Sequence, residues 1–366
     1  MYLDIIKKLT TKLPYPVGSL VAKIPFRYRP FISKGYRKAE DRILKWNVST
    51  DEDIKDYIVN DIKKLVSYAY NNVPFYQTLY DSKHFNPQHL DCFQSLDSIP
   101  IINKELLQSV DISERTSQIM SKNLVNTGGS SGNPLSFYIQ PKAIAHEWAH
   151  IHYAWKKVGF KPSDLKIMCV GRINQNEPVY YDSARHSLSV DISFSLSDIS
   201  EQLFKLLILK KYNPRFIHGY PSFIFDLIIW ISNNNHPLLD ILKSNISSLL
   251  LCSEFPEPHK RDMVEKILAC TSQSFYGHTE RSVLAFEDNN HYEFKVMQTY
   301  GFTESVSYQD EERLVGTSYY NFASPLIRYD TGDIIQTVKK GSFLESFKLL
   351  IPKITQEDNP RMVSTK

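Results

Sequence analysis

No apolar run in this 366-residue sequence is long enough to span a bilayer. The longest, FIFDLIIWI, is interrupted by Asp226. The first residues show neither the long apolar core nor the small-residue cleavage site of a secretion signal, and none is expected there. Cysteine is scarce: Cys92, Cys169, Cys252 and Cys270 form no Cys-x-x-Cys pair and have no metal-ligand spacing. Cys169 and Cys252 lie in the apolar runs LKIMCV and SSLLLC, where a buried thiol is expected. These absences point to a reduced, cytoplasmic setting. A strong charge of one sign is missing as well. The net charge is only +3, so the chain as a whole does not read as a nucleic-acid binder.

What remains is ordinary globular material, 42% hydrophobic and 23% charged, enough for two folding units or one large α/β domain. Its charge is uneven. The first 45 residues hold eleven Lys or Arg against Asp4, Glu40 and Asp41, leaving the rest of the chain net acidic. At their start, MYLDIIKKLTTKL places Leu3, Ile6, Leu9 and Leu13 at helical spacing beside Lys7, Lys8 and Lys12. Two readings stay open: a helix packed on the core with solvated lysines, or a segment lying on an anionic inner-membrane surface. Pro14, Pro16, Pro25 and Pro30 keep it from continuing as a long helix.

Beyond this segment the periodicity predicts alternating helices and strands. Ile54, Ile58, Ile62, Leu65 and Ala69 mark an amphipathic helix from Asp51 to Asn71, with Ser49 or Thr50 as cap and Pro74 past its end. LSFYIQ reads as a strand paired with KNLVN. A helix opening at Pro141 carries Ile144, Trp148, Ile151, Trp155 and Val158 on one face and ends at Gly159. His146, His150 and His152 ride on it and read as satisfied or partly exposed side chains, not ligands. Then follow strand LKIMCVG, a helix near 199–211, strand PRFIHGY, helix 222–235, strand ISSLLLC, helix 256–270 and strand SQSFYG. Continuous apolar strands alternating with helices predict an α/β fold, a parallel sheet covered on both faces. Ligands in such sheets bind beyond the carboxyl ends of the strands, which draws attention to HGYPS, CSE and YGHTE.

Glycine is sparse, 13 in all, yet three fall in NTGGSSGNPLSFY between Asn126 and Tyr138. Thr127, Gly128, Gly129, Ser130, Ser131 and Gly132 offer free backbone N–H groups and hydroxyls, the makings of an anion cradle, although a plain surface loop has the same signature. The loop is not a P-loop, because Asn133-Pro134 follows Gly132 where Lys-Ser/Thr is required. Nor is it the dinucleotide fingerprint, since it precedes a strand. A second glycine stretch, FYGHTE, holds Tyr276, Gly277, Thr279 and Glu280: an aromatic face, a hydroxyl and a carboxylate able to hold Mg²⁺ beside phosphates. A third, IRYDTGD, presents Asp333 after a Thr-Gly turn, where a carboxylate suits ribose hydroxyls.

The three stretches in this order resemble the adenylate-forming enzyme superfamily, above all its phenylacetate–CoA ligase-like branch, which includes the capsular polysaccharide (CapK-type) proteins. YAYNNVPFY, LDSIPIINKELL, HGYPSFIFDL and CSEFPEP extend the resemblance over about residues 45 to 335. It implies a large adenylate-forming core over 46–335, after the basic segment 1–45 and before a short remnant over 336–366. It also implies a ligase that uses ATP and Mg²⁺ to convert a small carboxylic acid into an acyl-adenylate, serving capsular or other surface polysaccharide assembly. By the same resemblance Thr127 to Gly132 hold the β- and γ-phosphates and Tyr276 packs on adenine. Thr279 and Glu280 serve the α-phosphate and the metal as catalytic residues, and Asp333 binds ribose. The acceptor is left open among CoA, a carrier protein and a sugar amine.

Two departures qualify these expectations. Asn133 stands where many relatives have lysine. Only 33 residues follow Asp333, so the C-terminal cap domain of the superfamily is expected to be missing or vestigial. A chain without it would be a short form, a truncated one, or a catalytically incomplete nucleotide-binding module acting through a partner protein.

Overall fold

The computed structural model describes residues 13–29, 32–127, 134–171 and 176–350. The chain divides into two compact units, one formed by Met1–Ser33 with Ile151–Phe275 and the other by Lys34–His150 with Tyr276–Lys366. Leu3, Ile6, Lys7, Lys8, Leu9 and Lys12 of the basic N-terminal segment lie outside the described residues, as do the last sixteen positions.

The first unit is the α/β sheet that the apolar runs predicted. Its strands are β3 (Lys166–Cys169), β4 (Val179–Asp182), β5 (Ser187–Val190), β6 (Phe216–Gly219), β7 (Ser248–Leu251) and β8 (Thr271–Gly277), the last two residues of β8, Tyr276 and Gly277, belonging to the second unit. They lie in the order β4-β5-β3-β6-β7-β8, parallel from β5 to β8. Every residue of β3, β5, β6 and β7 is buried, which is why these runs are mostly apolar or small rather than alternating. Helices Leu196–Leu209, Pro221–Asn233, Leu238–Asn245 and Pro258–Leu268 connect them. Their apolar faces, with Ile199, Leu203, Ile224, Ile228, Leu242 and Val264, form the core together with the strands. The hairpin β4–β5 was not anticipated. Its turn has no glycine; instead the Asp182 carboxylate accepts from the backbone N–H groups of Ala184 and Arg185 at 2.9 and 3.2 Å.

The second unit combines helices with an antiparallel sheet. The helix Asp51–Asn72 is capped as expected by Thr50, in a reciprocal box with Asp53. It buries Ile54, Ile58, Ile62, Leu65 and Ala69 against a cluster that includes Phe302, Ile327 and Tyr329. The sheet has the order β11-β12-β13-β14-β10-β9. Its strands are β9 (Leu284–Glu287), β10 (Phe294–Val296), β11 (Gly301–Tyr308), β12 (Glu311–Ser318), β13 (Tyr329–Lys340) and β14 (Leu344–Leu349). All neighbouring pairs among them are antiparallel. A separate hairpin pairs β1 (Asn123–Asn126) with β2 (Ser136–Ile139), as the sequence suggested for KNLVN and LSFYIQ.

One expectation is corrected. The helix Pro141–Trp155 exists, but Ile144 is exposed and Trp148 only half-buried. The buried positions in its first part are Ala143, Ala145, His146, Ala149 and His150. Alanines permit close approach, and the imidazoles find polar partners: His150 Nδ1 donates to the carbonyl of His146 at 2.9 Å, and Nε2 meets Thr299 Oγ1 at 2.9 Å. Fit and hydrogen bonding, not hydrophobicity alone, selected the inward face.

Candidate active site

The β1–β2 hairpin sets the base of the glycine loop. Thr127 donates its backbone N–H to the carbonyl of Leu135 at 3.0 Å, and its hydroxyl accepts from the N–H of Leu135 at 2.9 Å. Both ends of the loop are thereby pinned one residue beyond the last strand pair, Asn126 with Ser136. Gly128, Gly129, Ser130, Ser131, Gly132 and Asn133 lie outside the described residues.

The other two stretches meet within the second unit. Tyr276 and Gly277 end β8, and the chain then turns through His278 to Arg281, where the N–H of Arg281 bonds the carbonyl of His278 at 3.0 Å. Arg281 takes a left-handed φ of 56° to close that turn. The ring of Tyr276 stands edge-on to Phe347, 5.6 Å between centroids, and its hydroxyl donates to Asp333 Oδ2 at 2.5 Å. Burial and the neighbouring Asp333 carboxylate both push the phenol upward, so it stays protonated and remains the donor.

Asp333 reaches this position through a bulge. The β12–β13 ladder pairs Arg313 with Ile334 and Val315 with Asp330, so Thr331, Gly332 and Asp333 are left over on one strand. Gly332 has φ of 79°, and its N–H bonds Asp330 Oδ1 at 2.9 Å. Extra residues in a ladder re-aim side chains, and here the exposed carboxylate of Asp333 turns toward Tyr276.

Glu280 is held on both oxygens. His278 Nδ1 lies 3.0 Å from Oε2, and the Tyr329 hydroxyl donates to Oε1 at 3.3 Å. Burial would raise this carboxyl, but the hydrogen bonds from His278, a backbone N–H and the Tyr329 hydroxyl overcome it and hold the group below its ordinary value. Glu280 is therefore ionised at neutral pH. Thr279 is exposed between these residues, and its hydroxyl makes no hydrogen bond among the described residues.

Tyr329 and His278 are site residues that sequence reading passed over. Tyr329 sits in IRYDTGD, where only Asp333 drew attention, and no local pattern links it to Glu280, 49 positions earlier. Arg328, with a left-handed φ of 45°, anchors the approach to Tyr329. Its guanidinium forks onto Glu304 at 2.8 and 3.1 Å and donates to the carbonyls of Asp97 and Ile99 at 2.7 and 2.9 Å.

The turn after Glu280 is pressed against two strands that are glycine at the contact. A Cβ on Gly301 would fall 2.2 Å from the carbonyl oxygen of Ser282, and one on Gly316 would fall 2.6 Å from its hydroxyl. These glycines serve close approach of backbone, not a turn.

The residues fit a nucleotide with a divalent ion in a specific sense. Glu280 Oε2 and Oε1 accept from His278 and Tyr329, and Asp333 keeps Oδ1 beyond its bond with Tyr276. No group of three or more His, Cys, Asp or Glu able to hold a metal occurs among the described residues. A magnesium ion here would accordingly take most of its oxygens from phosphate and water, as is usual for that ion.

No family model matches the chain. It is similar to Protein CapK of Staphylococcus aureus, 22% identical over 289 residues, covering 75% of this chain and 61% of CapK. The chain thus spans about three-fifths of that relative's length. Among solved structures, 2-hydroxyisobutyryl-CoA ligase, in an open conformation with 2-HIB-AMP and CoA, superposes with a TM-score of 0.60 at 18% identity, covering 81% of this chain and 73% of that one. The AtGH3.15 acyl acid amido synthetase in complex with 2,4-DB gives a TM-score of 0.54 at 10% identity, covering 85% and 70%. The chain shares its fold with this acid–CoA ligase and this acyl acid amido synthetase.

Proposed function

We propose that this chain, with the fold of the adenylate-forming enzymes and a likeness to CapK, activates a small carboxylic acid at the expense of ATP. The observation that carries this reading is the meeting of Tyr276, Glu280 and Asp333 in one unit, with both carboxylates held by hydrogen bonds from neighbouring side chains. In the reaction a carboxylate oxygen attacks the α-phosphorus, the bond to the β,γ-portion breaks, and pyrophosphate leaves an acyl-adenylate behind. The ring of Tyr276 receives the adenine and Asp333 the ribose hydroxyls. Thr279, with its exposed hydroxyl, donates to the α-phosphate, and Thr127 and the loop after it cradle the outer phosphates. A magnesium ion, when bound, neutralises phosphate charge, and Glu280 would hold it. Positioning and electrostatic stabilisation are the main sources of rate in such a displacement. Transfer of the acyl group to a thiol such as CoA, and a place in surface polysaccharide assembly, belong to the same reading. They are supported by the CoA ligase with the same fold and by the similarity to CapK.

The reading includes peripheral contact with an anionic membrane. Among the described residues no helix is long and apolar enough to cross one. The short helix Tyr15–Ala22 nevertheless exposes Val17, Leu20 and Val21, followed by Ile24 at the same spacing, next to Lys23 and Arg27. Exposed apolar side chains bordered by cations suit a headgroup surface.

Acid-dependent exchange of labelled pyrophosphate into ATP, measured over a panel of aryl, hydroxy and short-chain acids, tests the reading. Exchange should require one class of acid and be lost in Glu280→Gln. Exchange that ignores the acid, that survives Glu280→Gln, or that fails across the panel contradicts it.

A further inference from the structure

We infer that His278 is a positioning residue whose neutral imidazole, protonated on Nδ1, fixes the orientation of the Glu280 carboxylate without cancelling its charge. The inference rests on the reading of Glu280 as the carboxylate that meets the divalent ion and the nucleotide.

The tautomer follows from what faces the other ring nitrogen. The backbone N–H of Val283 points at Nε2 from 3.2 Å, and a backbone N–H has only a proton to offer. A hydrogen on Nε2 would set two donors against each other, which excludes both the Nε2–H tautomer and the imidazolium in this geometry. The Ser282 hydroxyl, also 3.2 Å from Nε2, is then a second donor to the same lone pair. The one remaining proton is on Nδ1, 3.0 Å from Glu280 Oε2. Little in this arrangement is free to rotate. The side chains of His278 and Glu280 are 16% and 12% exposed. Ser282 is wedged against Gly301 and Gly316, neither of which has a side chain to push it away.

The chemical consequence lies in the choice of partner. An arginine or lysine beside Glu280 would orient it equally well but would offset the charge that a divalent cation needs. A neutral imidazole N–H on one oxygen and a phenol on the other leave that charge in place while removing the freedom of the carboxylate. This is the manner in which partners behind a metal-binding carboxylate ordinarily act.

Two measurements on the full chain test the inference. Long-range ¹H–¹⁵N correlation on histidine-labelled protein, with the signal assigned by its loss in a variant, reports the tautomer directly. His278 should show protonated Nδ1 and bare Nε2 at neutral pH. An Nε2–H tautomer or an imidazolium overturns the inference whether or not the chain binds nucleotide.

The second measurement separates orientation of Glu280 from support of the loop. In His278→Asn the amide nitrogen falls at the place of Nδ1 and still donates to Glu280. In His278→Gln the amide reaches the place of Nε2 and accepts from Val283, but nothing donates to Glu280. The Mg²⁺ concentration giving half of the thermal stabilisation at fixed ATP should stay near the unaltered value in His278→Asn. In His278→Gln it should rise about tenfold, in line with the loss of an outer partner at a metal site. Equal effects, or the larger one in His278→Asn, make His278 a loop support only and overturn the inference. If the unaltered chain gains no stability from Mg²⁺ and ATP, the nucleotide reading fails, and the tautomer measurement decides the inference by itself.

Discussion

The hydroxyl of Tyr276 donates to Oδ2 of Asp333 across 2.5 Å, tying the end of β8 to the bulge of β13, 57 positions later. The bond sets the spacing between the aromatic and acidic groups assigned to base and ribose. Tyr276→Phe keeps the ring but releases the carboxylate. It should cost about 1 kcal/mol of stability, the net worth of one hydrogen bond. It should also weaken ATP binding less than Asp333→Ala does. Urea unfolding and nucleotide titration of both variants check this; a stronger loss of ATP binding in Tyr276→Phe would show that the ring is not the contact.

Gly301 and Gly316 both face Ser282, but with different atoms. A methyl group on Gly301 meets the carbonyl oxygens of Ser282 and Thr317, at 2.2 and 2.8 Å, whereas one on Gly316 meets the side chains of Ser282 and Val283. Side chains can shift where backbone cannot. Gly316→Ala should cost about 1–3 kcal/mol, the usual range for overpacking, and Gly301→Ala more. Denaturant midpoints establish the order, and the reverse order would contradict the close approach described for this turn.

The helix Pro141–Trp155 makes the second unit sensitive to acid. Burial holds the imidazoles of His146 and His150 well below the ordinary histidine value, His150 at about 3, and the nearby Arg42 cation acts in the same direction. The unfolded chain takes up protons at these residues below about pH 6.5. The folded chain does not until far lower pH. Their contribution to stability is therefore complete above about pH 6.5 and is lost progressively as pH falls below that value. His150→Gln should remove about one proton from the slope of unfolding free energy between pH 6 and 4; an unchanged slope would show that His150 is protonated in the folded state.

The membrane contact proposed above rests on the exposed face of the helix Tyr15–Ala22, where Leu20 is 64% exposed. Binding to vesicles containing anionic lipid should weaken with added salt and disappear in a Leu20→Glu, Val21→Glu double variant. Neutral vesicles should not be bound. Attraction from basic residues near such a surface is about 1 kcal/mol each and screened within a Debye length. Binding that ignores both salt and the double variant would exclude this face.

The sheet of the first unit was legible because its strands are buried on both sides, so Ile167, Ile217 and Leu249 fall in short apolar runs that local patterning reveals. The antiparallel sheet of the second unit was not. β12 is exposed at Glu311 and wholly buried from Leu314 to Ser318, so neither alternation nor a continuous apolar run marks it. Asp333 could be singled out from its Thr-Gly neighbours, yet the carboxylate meets Tyr276 only through a register shift between strands distant in sequence. Tyr329 stayed hidden for the same reason. Its role depends on which strand lies beside it, information absent from the residues on either side.

The central claim is that Tyr276, Glu280 and Asp333 form the floor of a site for ATP with Mg²⁺. Calorimetric titration of the full chain with ATP, in excess Mg²⁺ and again with a chelator, tests it most directly. One site per chain is predicted, dependent on Mg²⁺, and weakened about tenfold or more by Glu280→Gln and by Asp333→Ala while the circular dichroism of both variants stays unchanged. Absence of binding at millimolar ATP, or binding equal in the unaltered chain and both variants, would contradict the account.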